Sequence, residues 1–173
     1  MSVTVDSRVL WQLSYGMYVV SSSLGGKLNG QIANSVFQVA AEPPRIIVSI
    51  NKENLTHEYI SKSGSYGVSI LDTTTPFTFI GLFGFKSGRD VDKCSQVNHK
   101  IGVTGSPLIL ENALSIMEVT VLKTMDAGSH TLFLGDLTAA EVLKEGTPLT
   151  YKYYHEVIKG KTPKNAATFR PDV

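Results

Sequence analysis

A chain of 173 residues with 42% hydrophobic and 18% charged residues holds enough apolar material for one core. At roughly 100–200 residues per domain, a single domain over 1–173 is expected. Lysine plus arginine number 16 against 15 acidic residues, a formal charge of +1, which removes the global electrostatic case for a nucleic-acid binder and for a disordered chain. One cysteine, Cys94, makes no internal disulfide, builds no zinc or iron–sulfur site by itself, and fits a reducing interior. The start has no apolar block of leader length, and no run approaches the ~18 apolar residues of a membrane helix, so the expected compartment is the cytoplasm, with no membrane partner.

In chain order, Val5, Val9, Leu10 and Leu13 have the spacing of one face of a short amphipathic helix over 5–14. From Tyr15 the texture turns β-branched and aromatic, and Gly25-Gly26 supplies a turn, predicting a hairpin. The second arm, Leu28 to Ala41, is interrupted at Asn29-Gly30 and Asn34-Ser35; such interruptions suggest a bulge or a close-approaching ligand. Pro43-Pro44 stops it, Arg45 to Ile50 reads as a buried strand, and Asn51 to Asn54 as a loop. Leu55 to Ser63 is a helix capped by Asn54 or Thr56, with Glu58 toward its positive end. A strand over Tyr66–Leu71 and a short helix from Pro76 to Gly84 follow, then a polar, irregular run from Lys86 to Lys100. Ala113–Lys123 and His130–Leu143 are the longest strand candidates, joined by a turn-rich segment. Tyr151–Ile158 reads as a helix, and 159–173 as a basic tail carrying Lys159, Lys161 and Lys164. Many strands and few short helices predict a mainly β fold, an antiparallel barrel with peripheral helices.

Several familiar sites fail on spacing. Gly81-Leu-Phe-Gly84-Phe-Lys86-Ser87 lacks the four residues between glycines, and the Gly directly before Lys, of a phosphate loop. Neither G-x-G-x-x-G nor G-x-S-x-G occurs, so a dinucleotide fold of the Rossmann type and a hydrolase elbow are unsupported. His57, His99, His130 and His155 form no metal-ligand spacing, and no metal site is expected. On pattern alone His130 is a polar strand-end residue. Asn54-Leu55-Thr56 matches a glycosylation triplet, but capping explains it as well. The loop 51–56 does bring a cation, amide side chains, a hydroxyl and free helical N–H groups to one strand end, where a phosphate would be held.

Four ordered segments, Asn29-Gly-Gln-Ile-Ala-Asn-Ser35-Val-Phe-Gln38, Ser49-Ile-Asn-Lys-Glu-Asn-Leu-Thr56-His57, Phe83-Gly-Phe-Lys-Ser-Gly88 and Gly128-Ser-His-Thr-Leu-Phe-Leu-Gly135, resemble the flavin reductase-like family of FMN-binding split barrels. The resemblance is strongest to the branch of archaeal ferric reductases, flavoredoxins and the flavin domains of rubredoxin-fused oxidoreductases, and it runs from about residue 12 into the basic tail. It implies a six-stranded Greek-key antiparallel barrel, a homodimer, and one FMN per subunit near the dimer interface. Residue by residue, Gln31, Ile32, Ala33, Asn34 and Ser35 would border the isoalloxazine. Ser49, Asn51, Lys52, Asn54 and Thr56 would hold the ribityl and phosphate groups, in agreement with the anion argument. Phe85, Lys86 and Ser87 would close over the flavin, and His130 would lie near its face or rim.

The resemblance further implies hydride transfer from NADH or NADPH to the flavin, and electron transfer from there to ferric iron, free flavin or a redox protein. No side chain is then required as a nucleophile or base, because the cofactor carries the chemistry. The alternative is a flavoredoxin-like electron carrier without direct NAD(P)H turnover, and a weaker third reading is a ligand-binding barrel with no redox role. Fused relatives carry a rubredoxin with two Cys-x-x-Cys pairs, whereas this sequence has one cysteine, so a rubredoxin partner is expected to be a separate protein.

Overall fold

A computed structural model describes residues 6–169. Gly25 and Gly26, both at positive φ (57° and 79°), make the tight turn between β1 (Tyr18–Leu24) and β2 (Lys27–Ala33). At Asn34-Ser35 the chain leaves β1 and re-enters the sheet as β3 (Val36–Ala41), paired with β4 (Pro44–Asn51). β5 (Ser65–Leu71), β6 (His99–Ile101), β7 (Pro107–Ile109), β8 (Ala113–Ala127) and β9 (His130–Val142) complete the strands. The main sheet runs β2-β1-β5-β8-β9-β4-β3, and β6 pairs with β7 apart from it. Its two outer members are consecutive pieces of one run, so the sheet closes on a split strand, and seven segments less one give the six expected strands.

Alternation places the core. Ile46, Val48 and Ile50 of β4 pack with Val20, Tyr66, Val68, Val119 and Phe133 inside the barrel, joined by Ile60 of the helix α1 (Leu55–Ser63). The opposite face of β1 is also covered: Met17 and Val19 pack on Phe79, Ile80 and Phe83 of α2 (Phe77–Phe85) and on Tyr154 of α3 (Tyr151–Glu156). β1 is therefore buried on both faces, and β2 beside it runs along the seam between barrel and helices.

Most predicted elements are present within a residue or two, and four differ. The expected helix over 5–14 is a short 3-10 turn, Ser7–Gln12, and Val9, Leu10 and Leu13 are exposed; Val5 lies outside the described residues. β8 reaches Ala127, because the hairpin turn is only Gly128-Ser129. β6 and β7 occupy stretches with no strand prediction. The basic tail does not run free. Lys159 takes a left-handed φ of 59°, Gly160 follows, and the chain doubles back across α3 and β2 as far as Phe169; the expected tail beyond it lies outside the described residues. No helix of the described residues is long and apolar enough to cross a membrane.

Candidate functional site

β2 presents Asn29, Gln31 and Ile32 to a cavity of about 300 Å³ whose other walls are the start of α1, the end of α2 with the following loop, and the returning tail. That volume lies at the lower end of the roughly 300–1,000 Å³ of ligand pockets. One end is polar. Thr56, 1% exposed, accepts a hydrogen bond from Asn29 Nδ2 at 2.8 Å, which leaves its hydroxyl hydrogen for another acceptor. Asn29 Oδ1 is buried without a partner, a costly state unless a ligand donor reaches it. Gly88 sits so close that a Cβ there would lie 2.0 Å from that oxygen. The first turn of α1 carries no side-chain cap, so its amides add to the positive character of this end.

Lys93, absent from the sequence-derived set, completes that end. It is 3% exposed, lines the cavity, donates to the Lys86 carbonyl at 3.1 Å and lies 5.7 Å over the Phe83 ring. Among the described residues no carboxylate pairs with it, and burial lowers its pKa to about 8. Buried charges are ordinarily paired, so a cation kept without a counter-charge beside a free hydroxyl and helical amides is a fitting place for a phosphate. Only burial signals it, and a lysine within the polar run 86–100 gives no hint of burial in sequence.

A second chamber of about 40 Å³ adjoins the first through Gln31, Ile32, Gly84 and Phe85, and is otherwise lined by Met17, Ala33, Asn34, Ser49, Asn51, Ile80, His130, Tyr151, Tyr154 and tail residues. Its walls are largely apolar and aromatic, with amides at the rim. His130 is half-buried, and burial lowers its pKa against a smaller opposing effect of a hydrogen bond with the Asn165 backbone; Ser129 Oγ lies 2.8 Å from its Nδ1. His57, next to this region, donates to or accepts from Thr131 Oγ1 at 2.8 Å, and burial with the nearby Lys52 and His130 lowers its pKa.

Twelve of the fourteen sequence-derived residues line one chamber or the other: Gln31, Ile32, Ala33, Asn34, Ser49, Asn51, Asn54, Thr56, Phe85, Lys86, Ser87 and His130. Two do not. Lys52 is held by Asp126 at 2.8 Å on the outside of the β8–β9 turn, because the loop after β4 aims its side chain along the hairpin and not toward α1. Ser35 is buried at the β2–β3 break, its hydroxyl spent on Asn34 Oδ1 at 3.1 Å. Asn54 occupies the expected N-cap position of α1, but its side chain makes no capping bond: it donates to Gln31 Oε1 at 3.1 Å and accepts from Asn165 at 3.2 Å. An elongated ligand with an anionic end and a flat, partly apolar body suits this arrangement; a flavin mononucleotide has those features, and the donor set fits it.

The chain matches the family model of the flavin reductase like domain over residues 10–158. It is 45% identical over 165 residues to a ferric-chelate reductase (NAD(P)H) of Archaeoglobus fulgidus, covering 95% of this chain and 98% of that protein. It is 46% identical, again over 165 residues, to a high molecular weight rubredoxin of Moorella thermoacetica, covering 95% of this chain and 72% of that protein. Among solved structures, an FMN-binding protein of Thermus thermophilus with bound 1-cyclohex-2-enone superposes with a TM-score of 0.72 at 27% identity, over 82% of this chain and 78% of that one.

Proposed function

Because this chain belongs to the flavin reductase-like family and is an oxidoreductase of that class, we propose that it uses FMN to pass electrons from NADH or NADPH to ferric iron, free flavin or a redox protein. The carrying observation is buried Lys93, uncompensated and facing the same cavity as the Thr56 hydroxyl. Lys93, Thr56, Ser87 and the first amides of α1 hold the terminal phosphate. A single anionic end favours FMN over the longer FAD, and the FMN-binding structural relative supports the same choice.

A bound flavin supplies the hydride-accepting and electron-donating chemistry. The protein's own part is binding and exclusion. Gln31 to Asn34 would offer main-chain and amide groups to a bound ring, Met17, Ile32 and Ile80 would exclude water from it, and His130 lines the same chamber. No side chain acts as nucleophile or base in this reading. The nicotinamide donor is supported by the NAD(P)H-dependent relative, and cytoplasmic residence by the lone buried thiol of Cys94.

A flavoredoxin-like carrier is favoured by one feature. Outside α2, Phe77, Leu82 and Phe85 form an apolar groove ringed by Lys86, Lys159 and Lys161, none of which pairs with a carboxylate among the described residues. Phe85 also lines both chambers, so a separate acidic redox protein such as a rubredoxin would dock against the cavity wall. Anaerobic titration of FMN-loaded protein with NADH and then NADPH, followed by the oxidised-flavin absorbance, separates the two. Bleaching at turnover rates is expected; colour discharged by dithionite but by neither nicotinamide supports the carrier.

A further inference from the structure

Residues 159–169 lie beyond the stretch matched by the family model, yet they wall both chambers: Lys161, Thr162 and Pro163 on one, Pro163, Lys164 and Asn165 on the other. They form a strap with a fixed hinge. Gly160 packs so tightly on α3 that a Cβ there would lie 1.9 Å from the Tyr154 ring, and that ring is 2% exposed. Gly160 N donates to the Tyr154 carbonyl at 3.0 Å, Tyr154 Oη donates to the Lys161 carbonyl at 3.0 Å, and His155 Nδ1 meets the Gly160 carbonyl at 3.0 Å. An imidazole nitrogen facing a carbonyl must carry the proton, so His155 donates there and its Nε2, 3.2 Å from Thr162 Oγ1, accepts when the ring is neutral.

The far end is held differently, by side-chain contacts of Asn165 and Thr168 to the candidate site and by the hydrogen bond between His130 and the Asn165 backbone. Asn165 Nδ2 donates to Asn54 Oδ1 at 3.2 Å, and Asn34 Nδ2 donates to Thr168 Oγ1 at 2.7 Å, with Thr168 in turn donating to Tyr151 Oη at 3.0 Å. Asn165 is exposed, as are Lys161 and Lys164. With this end closed, the strap walls both chambers, the one in front of β2 and the one beside the start of α1. Entry and exit of a ring therefore require the Asn165 and Thr168 contacts to break while the Gly160 hinge holds.

We propose that the strap is a latch that retains the flavin between turnovers, so that the flavin is a resident group of this protein and not a released product. The inference rests on the reading that the chambers hold a flavin. The Asn165–Asn54 and Asn34–Thr168 hydrogen bonds, at roughly 0.5–1.5 kcal/mol each, together contribute about five- to hundredfold to slower release.

The test uses the full chain carrying Asn165→Ala with Thr168→Ala, and separately Gly160→Ala, each loaded with FMN and freed of excess. Release on dilution is followed by the return of free-flavin fluorescence, and the flavin-free melting temperature is measured beside it. Faster release by about tenfold in the double variant, with the flavin-free melt little changed, is expected; Gly160→Ala shifts release the same way. FMN should also slow tryptic cleavage after Lys161 and Lys164 in the unaltered chain. Release within twofold of the unaltered protein in both variants, with FMN still bound, overturns the latch alone. An unaltered chain that takes up no FMN overturns the functional reading and the latch together.

Discussion

Lys93 illustrates how one residue can lower stability to serve binding. Its pKa is pushed from 10.5 to about 8 by burial, so the unfolded chain binds its proton more tightly than the folded one. Flavin-free stability is accordingly expected to rise as pH climbs from about 8 toward 10.5. Lys93→Met removes the penalty of the buried charge; it should raise flavin-free stability at pH 7, by no more than about 3 kcal/mol, while weakening FMN about ten- to hundredfold. Denaturant melts and an equilibrium FMN titration read the two effects separately, and loss of stability with unchanged affinity would remove Lys93 from the site. Affinity also acquires a pH dependence of definite sign. The phosphate is a dianion above its second pKa of about 6, and Lys93 loses its charge through about 8, so binding at pH 9 should be about tenfold weaker than at pH 7. The Met variant should lack that slope. By contrast Lys52→Ala, which the 51–56 loop read as sequence would make damaging, should shift FMN affinity less than twofold, because Asp126 already holds its ammonium outside the cavity.

Among the elements, the loop between β6 and β7 depends on one carboxylate. Glu118, on β8 and 3% exposed, accepts from the amides of Val103 at 3.0 Å and Thr104 at 2.9 Å and from the Thr104 hydroxyl at 2.7 Å. Glu118→Ala leaves these donors without their acceptor and should cost about 1–3 kcal/mol in a chemical denaturation. FMN affinity should be unaffected, since neither chamber reaches this loop. β6 and β7 themselves were illegible in sequence, because three residues are too few for a period-two pattern and the loop that joins them is held by Glu118 from a separate strand. The elements that were legible carry local signals of their own: two glycines at the β1–β2 turn, Pro76 before α2, and the alternation of Ile46, Val48 and Ile50 in β4. The site divides along the same line. Asn29 to Asn34 announce themselves as polar interruptions of a strand, and Ser49 to Thr56 as a strand-to-helix junction. Lys93 and the strap carry no such local signal: burial against Phe83 gives Lys93 its role, and the strap is closed by Asn54 and Asn34, more than a hundred residues earlier in the chain.

At the scale of the whole molecule, registers across β3, β4, β9 and β8 set Phe37, Ile47, Leu134 and Lys123 in one row, and Ser49, Leu132 and Met125 in the row two residues on. The face opposite to the barrel core is therefore apolar over much of its width, with Phe37 43% and Met125 60% exposed. Monomers seldom leave a contiguous patch of this kind uncovered. The same face carries Ser49, Asn51 and His130, which line the smaller chamber. A second copy covering the patch would meet the candidate site at its rim, which fits the homodimer that the family resemblance implies and would tie its formation to cofactor binding. Phe37→Glu with Leu134→Glu would set charges into the middle of that face. Sedimentation equilibrium should then show a dimer for the unaltered protein and a monomer for the double variant, with FMN bound more weakly by the monomer. A monomer that keeps full FMN affinity would separate assembly from the cofactor site and leave the apolar face to another partner.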